Sequence, residues 1–336
     1  MRWPWPRAER KNRLVVAYEN DSFAYVLARA GQVVRAGLEY RGSDLPQVFA
    51  KRVRSLGLPA DGVTAVLSPA QYQLLQIDAP AVPDEELKAA ARWQIKGMVD
   101  AHIDDLTLDV MPMGGGARKG PRQMFVVVAE NSVLRDVAAW THSAGLDLEV
   151  IDIRDATQRN VQSALAESRG RQASANAALF VQGNQCLLTI VANGELLYSR
   201  RLVWQPAMPD TTNETTASTA TAQSLDDAHI VDYGAELTVS AYETTGAARL
   251  VIELQRSIDM WDRGHPDQPL QWLVVHNEGN SQAMAAQLAT TLRLPVEALD
   301  VDKLYPGLAT ATISAATRAA VLPLLGALRR IETRQP

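Results

Sequence analysis

Five histidines, His102, His142, His229, His265 and His276, are spread along the 336-residue chain, and none stands in a His/Cys/Asp/Glu cluster at the spacing a zinc site needs. Asp104, Asp105 and Asp109 lie close enough in sequence to look like an acid pair. In an extended segment Asp104 and Asp105 point to opposite faces, so solvated or capping roles suit them better. The single cysteine, Cys186, sits in an apolar run with no histidine near it in sequence to act as its base, which describes a small buried hydrophobe. No Gly-x-Ser-x-Gly nucleophile elbow occurs. Gly114-Gly115-Gly116 with Arg118 and Lys119 carries the glycines and cations of a phosphate cradle. It lacks the Gly-Lys-Ser/Thr ending and a following helix, and so reads as a flexible hairpin tip.

The elements that would position a site come in two similar runs. Leu14 to Ala17, Phe23 to Ala30 and Val33 to Tyr40 form a β-meander, Leu45 to Leu56 has helical spacing, and Gly62 to Leu67 is a further strand. Leu74 to Ile77, a helix from Asp84 to about Met98, strands at Leu106 to Met111 and Met124 to Ala129, a helix over Asn131 to Ala144 and a strand over Leu146 to Ile153 follow. A second meander occupies Ala177 to Phe180, Cys186 to Ala192 and Leu196 to Leu202, with Asn193-Gly194 as its turn. An amphipathic helix over Ala247 to Trp261, a strand at Leu270 to His276 and helices over Ser281 to Leu292 and Thr317 to Ile331 complete it. A meander followed by helices and strands, occurring twice, indicates a duplicated α/β unit.

Composition narrows the function classes. Hydrophobic residues make up 47% and charged residues 21%, which gives a sizeable core, and the net charge of −5 supplies no field for nucleic acid. The basic residues concentrate at the start, with Arg2, Arg7, Arg10, Lys11 and Arg13 beside Trp3 and Trp5, as a solvated tail or one docking on a membrane surface. No apolar run has signal-peptide or membrane-span character, so a cytoplasmic location is expected. Residues 206–227, rich in Thr, Ala and Ser, offset too little ordering entropy to be fixed and are expected to form a mobile insertion.

Three segments in this order resemble the PilM-like family of type IV pilus assembly proteins, with the MSHA-pilus MshI proteins nearest. They are Val82-Pro83-Asp84-Glu85-Glu86-Leu87 with Ala91-Arg92-Trp93 and Ile103-Asp104-Asp105; Leu250 to Asp259; and Leu294-Pro295-Val296-Glu297 with the final Gly326-Ala327-Leu328-Arg329-Arg330. The resemblance implies an α/β, actin-like fold in two lobes, the class that includes actin and FtsA. It implies a basic tail over 1–13, a first lobe over 14–68 and 152–176, an inserted small subdomain over 69–151 and a second lobe over 177–336. It also implies a protein peripheral to the inner membrane. Its partner would be a PilN-like membrane protein gripped by its cytoplasmic tail, with PilO-like and PilP-like proteins and a motor ATPase nearby.

Actin-like folds hold ATP with two acid–glycine hairpins and a glycine-rich adenosine turn, because phosphates need close backbone N–H groups and magnesium needs carboxylates. At the first hairpin the matching positions are Ala17 and Glu19. At the second they are Phe180 and Gln182 or, shifted by one, Val181 and Gly183; neither supplies a carboxylate. The adenosine turn is replaced by His276-Asn277-Glu278-Gly279. No cofactor is therefore expected, with room only for weak ATP binding through backbone groups. The chain reads as a degenerate, non-catalytic scaffold. The competing readings are a working PilM-type ATPase and a GspL-like type II secretion component. Trp93 is either core or, with Leu87 and Ala91, part of a partner-binding groove.

Overall fold

The computed structural model describes residues 12–19, 21–59, 62–113, 122–204, 246–277, 280–309 and 313–330. The glycine-rich loop at Gly114 to Gly120, the insertion at 206–227 and the pair Glu278-Gly279 fall outside these residues.

Two five-stranded sheets share one plan. In the first, β1 (Asn12–Glu19), β2 (Ser22–Arg29) and β3 (Gln32–Tyr40) form an antiparallel meander. α1 (Pro46–Arg54) then leads to β4 (Val63–Leu67), which runs parallel to β1. In the second, β9 (Asn176–Gln182), β10 (Gln185–Ala192) and β11 (Glu195–Val203) repeat the meander. The sheet orders are β3-β2-β1-β4-β8 and β11-β10-β9-β12-β13, so each strand of one has its counterpart in the other. The turns match as well. Ala30 and Gly31 have φ of 48° and 79°, and Asn193 and Gly194 have 53° and 76°. Two successive positive φ values are what a two-residue hairpin needs to follow the strand twist.

Between the two sheets the chain makes an insert and a return. The insert holds β5 (Gln73–Asp78), α2 (Leu87–Gln94), β6 (Leu106–Pro112) and β7 (Gln123–Glu130) as a three-stranded sheet in the order β5-β7-β6. α3 (Asn131–Ser143) and β8 (Leu148–Ile153) then rejoin the first lobe: Val137 and Trp140 share a core with Phe23 and Phe49, and β8 pairs in parallel with β4. The sequence reading carried the insert to residue 151. β8 is apolar on its sheet face like any core strand, and nothing in its pattern tells which sheet it joins. The tail is corrected similarly, since Asn12 and Arg13 pair with Arg29 and Ala28 inside the first sheet.

α4 (Arg154–Ser168) crosses from the first lobe to pack on β9, β10 and β11. α5 (Gly246–Gly264), β12 (Leu273–Asn277), α6 (Ser281–Thr291) and β13 (Val296–Ala298) complete the second lobe, with Leu250, Leu254, Trp261, Met284 and Leu288 in its outer core. The short helices α7 (Val301–Leu304) and α8 (Pro306–Ala309) follow, and then α9 (Ala315–Leu325) crosses back to pack on β2 and β3. The lobes thus exchange one helix each. The apolar centre of the molecule, including Val15, Val26, Val161, Val274, Leu308, Val321 and Leu324, lies between the two sheets around these crossing helices.

Candidate functional site

The cleft between the lobes opens where β1 and β9 end. On each of these strands alternate residues face it: Val15 and Ala17 on β1, Ala178 and Phe180 on β9, all packed in or against the central core. Two residues beyond Ala17 stands Glu19, and two beyond Phe180 stands Gln182. Glu19 and Gln182 hold matching places in the two strand pairs, opposite Ser22 and Gln185. Val181 faces the other way into the outer core of the second lobe, and Gly183, at φ 57°, serves the two-residue turn into β10.

Arg154 joins these two ends. It is the first residue of α4, and its guanidinium donates a hydrogen bond from Nη1 to Oε1 of Gln182, while its Nη2 lies 3.6 Å from Oε1 of Glu19. One side chain thus bridges equivalent positions of the two hairpins. A cavity of about 290 Å³ lies here, with Ala17, Glu19, Arg154, Gln182 and Ala316 among its walls. A guanidinium at this place repels a divalent cation, and the carboxylate present, Glu19, is already paired with it. Among the described residues no group of three or more His, Cys, Asp or Glu stands together to hold a metal ion.

Behind Arg154 a second polar node ties three parts of the chain. Asp155, 1% exposed, accepts a hydrogen bond from the Tyr72 hydroxyl at the start of the insert on one oxygen and from the Ser199 hydroxyl of β11 on the other. Burial, reinforced by the neighbouring Asp155 carboxylate, pushes the Tyr72 hydroxyl far above its ordinary pKa, so it remains a donor at every working pH. Arg201 donates to the carbonyls of Pro69 and Tyr72 and lies over the Tyr72 ring, 4.7 Å from its centroid.

His276, on β12, pairs in register with Phe180 and meets its ring edge-on. It is 8% exposed, and its Nδ1 has no hydrogen-bond partner among the described residues. Burial and, less, the Arg318 charge bring its pKa down to about 4, so the imidazole is neutral at physiological pH. Cys186 is buried and its thiol is pushed up to about 12 by desolvation, which keeps it unreactive.

The groove residues divide. Leu87 and Ala91, 2% and 0% exposed, fill the insert's own core beside Ile95, Met124 and Val126, so they do not line a groove: a partner could reach them only by opening that core. Trp93 is 75% exposed on the opposite face of α2, with the Lys96 ammonium 5.9 Å from its ring centroid. Its neighbour Arg92 donates to the carbonyls of Ile103 and Leu106 and to Asp104, fastening the turn between Ile103 and Asp105 against α2. The resemblance-bearing residues Arg92 and Asp104 are thus structural staples, and the aromatic between them is left outside.

Sequence reasoning missed Arg154, Asp155 and the whole of α4. Polar residues on this helix are buried, so its periodicity fails. The available signal was the absence of Gly and Pro from 154 to 169, with Ala, Arg, Gln, Leu or Glu at most positions and Gly170 at the end.

No family model and no curated protein matches the chain. Among solved structures it is similar to a PilM-PilN type IV pilus biogenesis complex, at 16% identity and a TM-score of 0.64, over 97% of this chain and 100% of that one. The chain has an actin-like fold. Weaker likenesses are to a Bacteroides thetaiotaomicron protein with actin-like ATPase fold and unknown function (8% identity, TM-score 0.45, 90% of this chain and 96% of that one). The cytoplasmic domain of EpsL, an inner membrane component of the Vibrio cholerae type II secretion system, gives 14% and 0.40 over 57% of this chain and 71% of that one. Ala17 and Glu19 stand in the last residues of β1, and Phe180 and Gln182 in the last residues of β9.

Proposed function

We propose that this protein is a non-catalytic scaffold of a type IV pilus assembly platform, of the MSHA kind and closest to MshI proteins, that binds the cytoplasmic tail of a PilN-like inner-membrane protein. The observation that carries the non-catalytic reading is Arg154: it spans the two hairpins and pairs Glu19, the one carboxylate lining the cavity there among the described residues, where turnover of ATP would need a free carboxylate and a cation. The partner reading is supported by the likeness to a structure whose own description is a PilM-PilN complex, together with the order of the three sequence segments. Exposed Trp93 is the residue assigned to the partner, as a large aromatic held outside a staple-closed turn. Among the described residues no helix is long and apolar enough to cross a membrane. Binding of that partner would hold the protein at the inner membrane. PilO-like and PilP-like proteins and a motor ATPase would complete the platform.

Calorimetry on the full chain tests both halves. A peptide copied from the cytoplasmic tail of a PilN-like protein of the same organism is expected to bind saturably and to lose about tenfold in affinity with Trp93→Ala. Mg-ATP is expected to give no saturable heat. Tight Mg-ATP binding would restore the ATPase reading, and absence of peptide binding at high concentration would remove the scaffold's partner.

A further inference from the structure

Beside Arg154 lies a second cavity, of about 300 Å³, between α4, the second sheet and α9. Its walls are apolar: Val161, Phe180, Leu187, Leu202 and Leu322 all contribute. Two arginines, Arg154 and Arg201, the neutral His276 and the un-ionised Cys186 thiol are its ionisable lining groups. No Asp or Glu of the described residues lines it, in a chain whose net charge is −5. A cavity of this size with apolar walls and a few placed polar groups is of the kind that holds a small molecule.

The distribution of charge selects the molecule. Arg201 is exposed at the rim; it donates to two carbonyl oxygens and lies against the Tyr72 side chain, and among the described residues no carboxylate forms an ion pair with it. A planar guanidinium with donors to spare matches a carboxylate. A polyphosphate would have to desolvate several charges against valine and leucine side chains, which is costly. A neutral hydrocarbon would fill the walls and leave the rim cation unused. We propose that this cavity binds a monocarboxylic acid with an apolar chain, of the medium-chain fatty acid class. The chain lies among Val161, Leu187 and Leu322, and the carboxylate meets Arg201. This assignment stands apart from the partner-tail reading, because it concerns a different surface and a different chemistry.

The probes are decanoate below its micellar concentration, decanol and Mg-ATP, titrated calorimetrically into the full chain. Decanoate is expected to saturate at one per chain. Arg201→Met is expected to weaken decanoate by about tenfold and to leave decanol unchanged, the decanol arm controlling for the Arg201 bonds to the Pro69 and Tyr72 carbonyls that are lost with the charge. Ala319→Phe, which puts a ring into the cavity from α9, is expected to abolish binding of both. Should Ala319→Phe fail to fold, the Arg201→Met comparison decides alone. The proposal is overturned if decanoate does not saturate. It is equally overturned if decanoate and decanol bind alike with no effect of Arg201→Met, the behaviour of a site shaped for an apolar side chain of a protein partner.

Discussion

The two crossing helices occupy equivalent places and use opposite chemistry. α9 lies on the first sheet through Val321, Leu322, Leu324 and Leu325, an apolar contact of ordinary kind. α4 lies on the second sheet through amides. The Gln158 amide donates to the carbonyls of Ala178 and Leu187 and to the Thr189 hydroxyl, and Gln162 donates to both the backbone and side-chain oxygens of Asn176. Asn176 in turn donates to the Val191 carbonyl. An apolar seam tolerates sliding as long as volume is filled, whereas a buried amide network is satisfied in one register only. The molecule thus gains cohesion from one crossing and a fixed setting from the other.

The largest test of this contrast sits where the helices meet. Gly326, just past α9, lies so close to α4 that an added Cβ would stand 1.8 Å from the Thr157 carbonyl oxygen. Gly326→Ala is expected to cost about 4 kcal/mol or more in urea denaturation, because backbone must move against backbone. A near-neutral result would mean that the crossing is loose. Leu324→Ala, in the apolar seam, is expected to cost about 3 kcal/mol with an unchanged denaturant slope.

A pH series probes the strand that faces both helices. The folded pKa of His276, about 4, lies below the ordinary 6.5, so between those values the unfolded chain binds more protons than the native one. Stability therefore falls as pH drops from 6.5 toward 4, by at most roughly 3 kcal/mol from this residue, and is fully retained above 6.5. His276→Asn is expected to flatten that slope in thermal melts across the same pH range.

Gln158→Leu gives the smallest of these effects, about 2 kcal/mol, since it strands buried acceptors while adding apolar contact. Its sharper signature is expected in amide hydrogen exchange, with protection lost along β9 and β10 and kept in the first sheet. Equal loss in both sheets would dissolve the distinction between the seams.

The duplicated plan was legible because meanders carry local signals: period-two apolar runs and the Asn193-Gly194 turn are written in neighbouring residues. The expectation about the hairpins was drawn from the same kind of signal, since Ala17 and Gln182 sit at fixed offsets from such strands. Arg154 was not, because its meaning comes from meeting Glu19 and Gln182 across 135 and 28 positions of sequence. Nor was the fate of Leu87 and Ala91 against Trp93, which depends on how far α2 turns onto β6 and β7. The burial of Gln158 and Gln162 contradicts the usual rule for polar residues, and only their partners explain it.

Asp155 gives the insert a mechanical role. One carboxylate receives the insert through Tyr72 and the second sheet through Ser199, while belonging itself to the helix that leaves the first lobe. A displacement of the insert is therefore shared with the far half of the protein at once, as through a keystone, without first taking up slack.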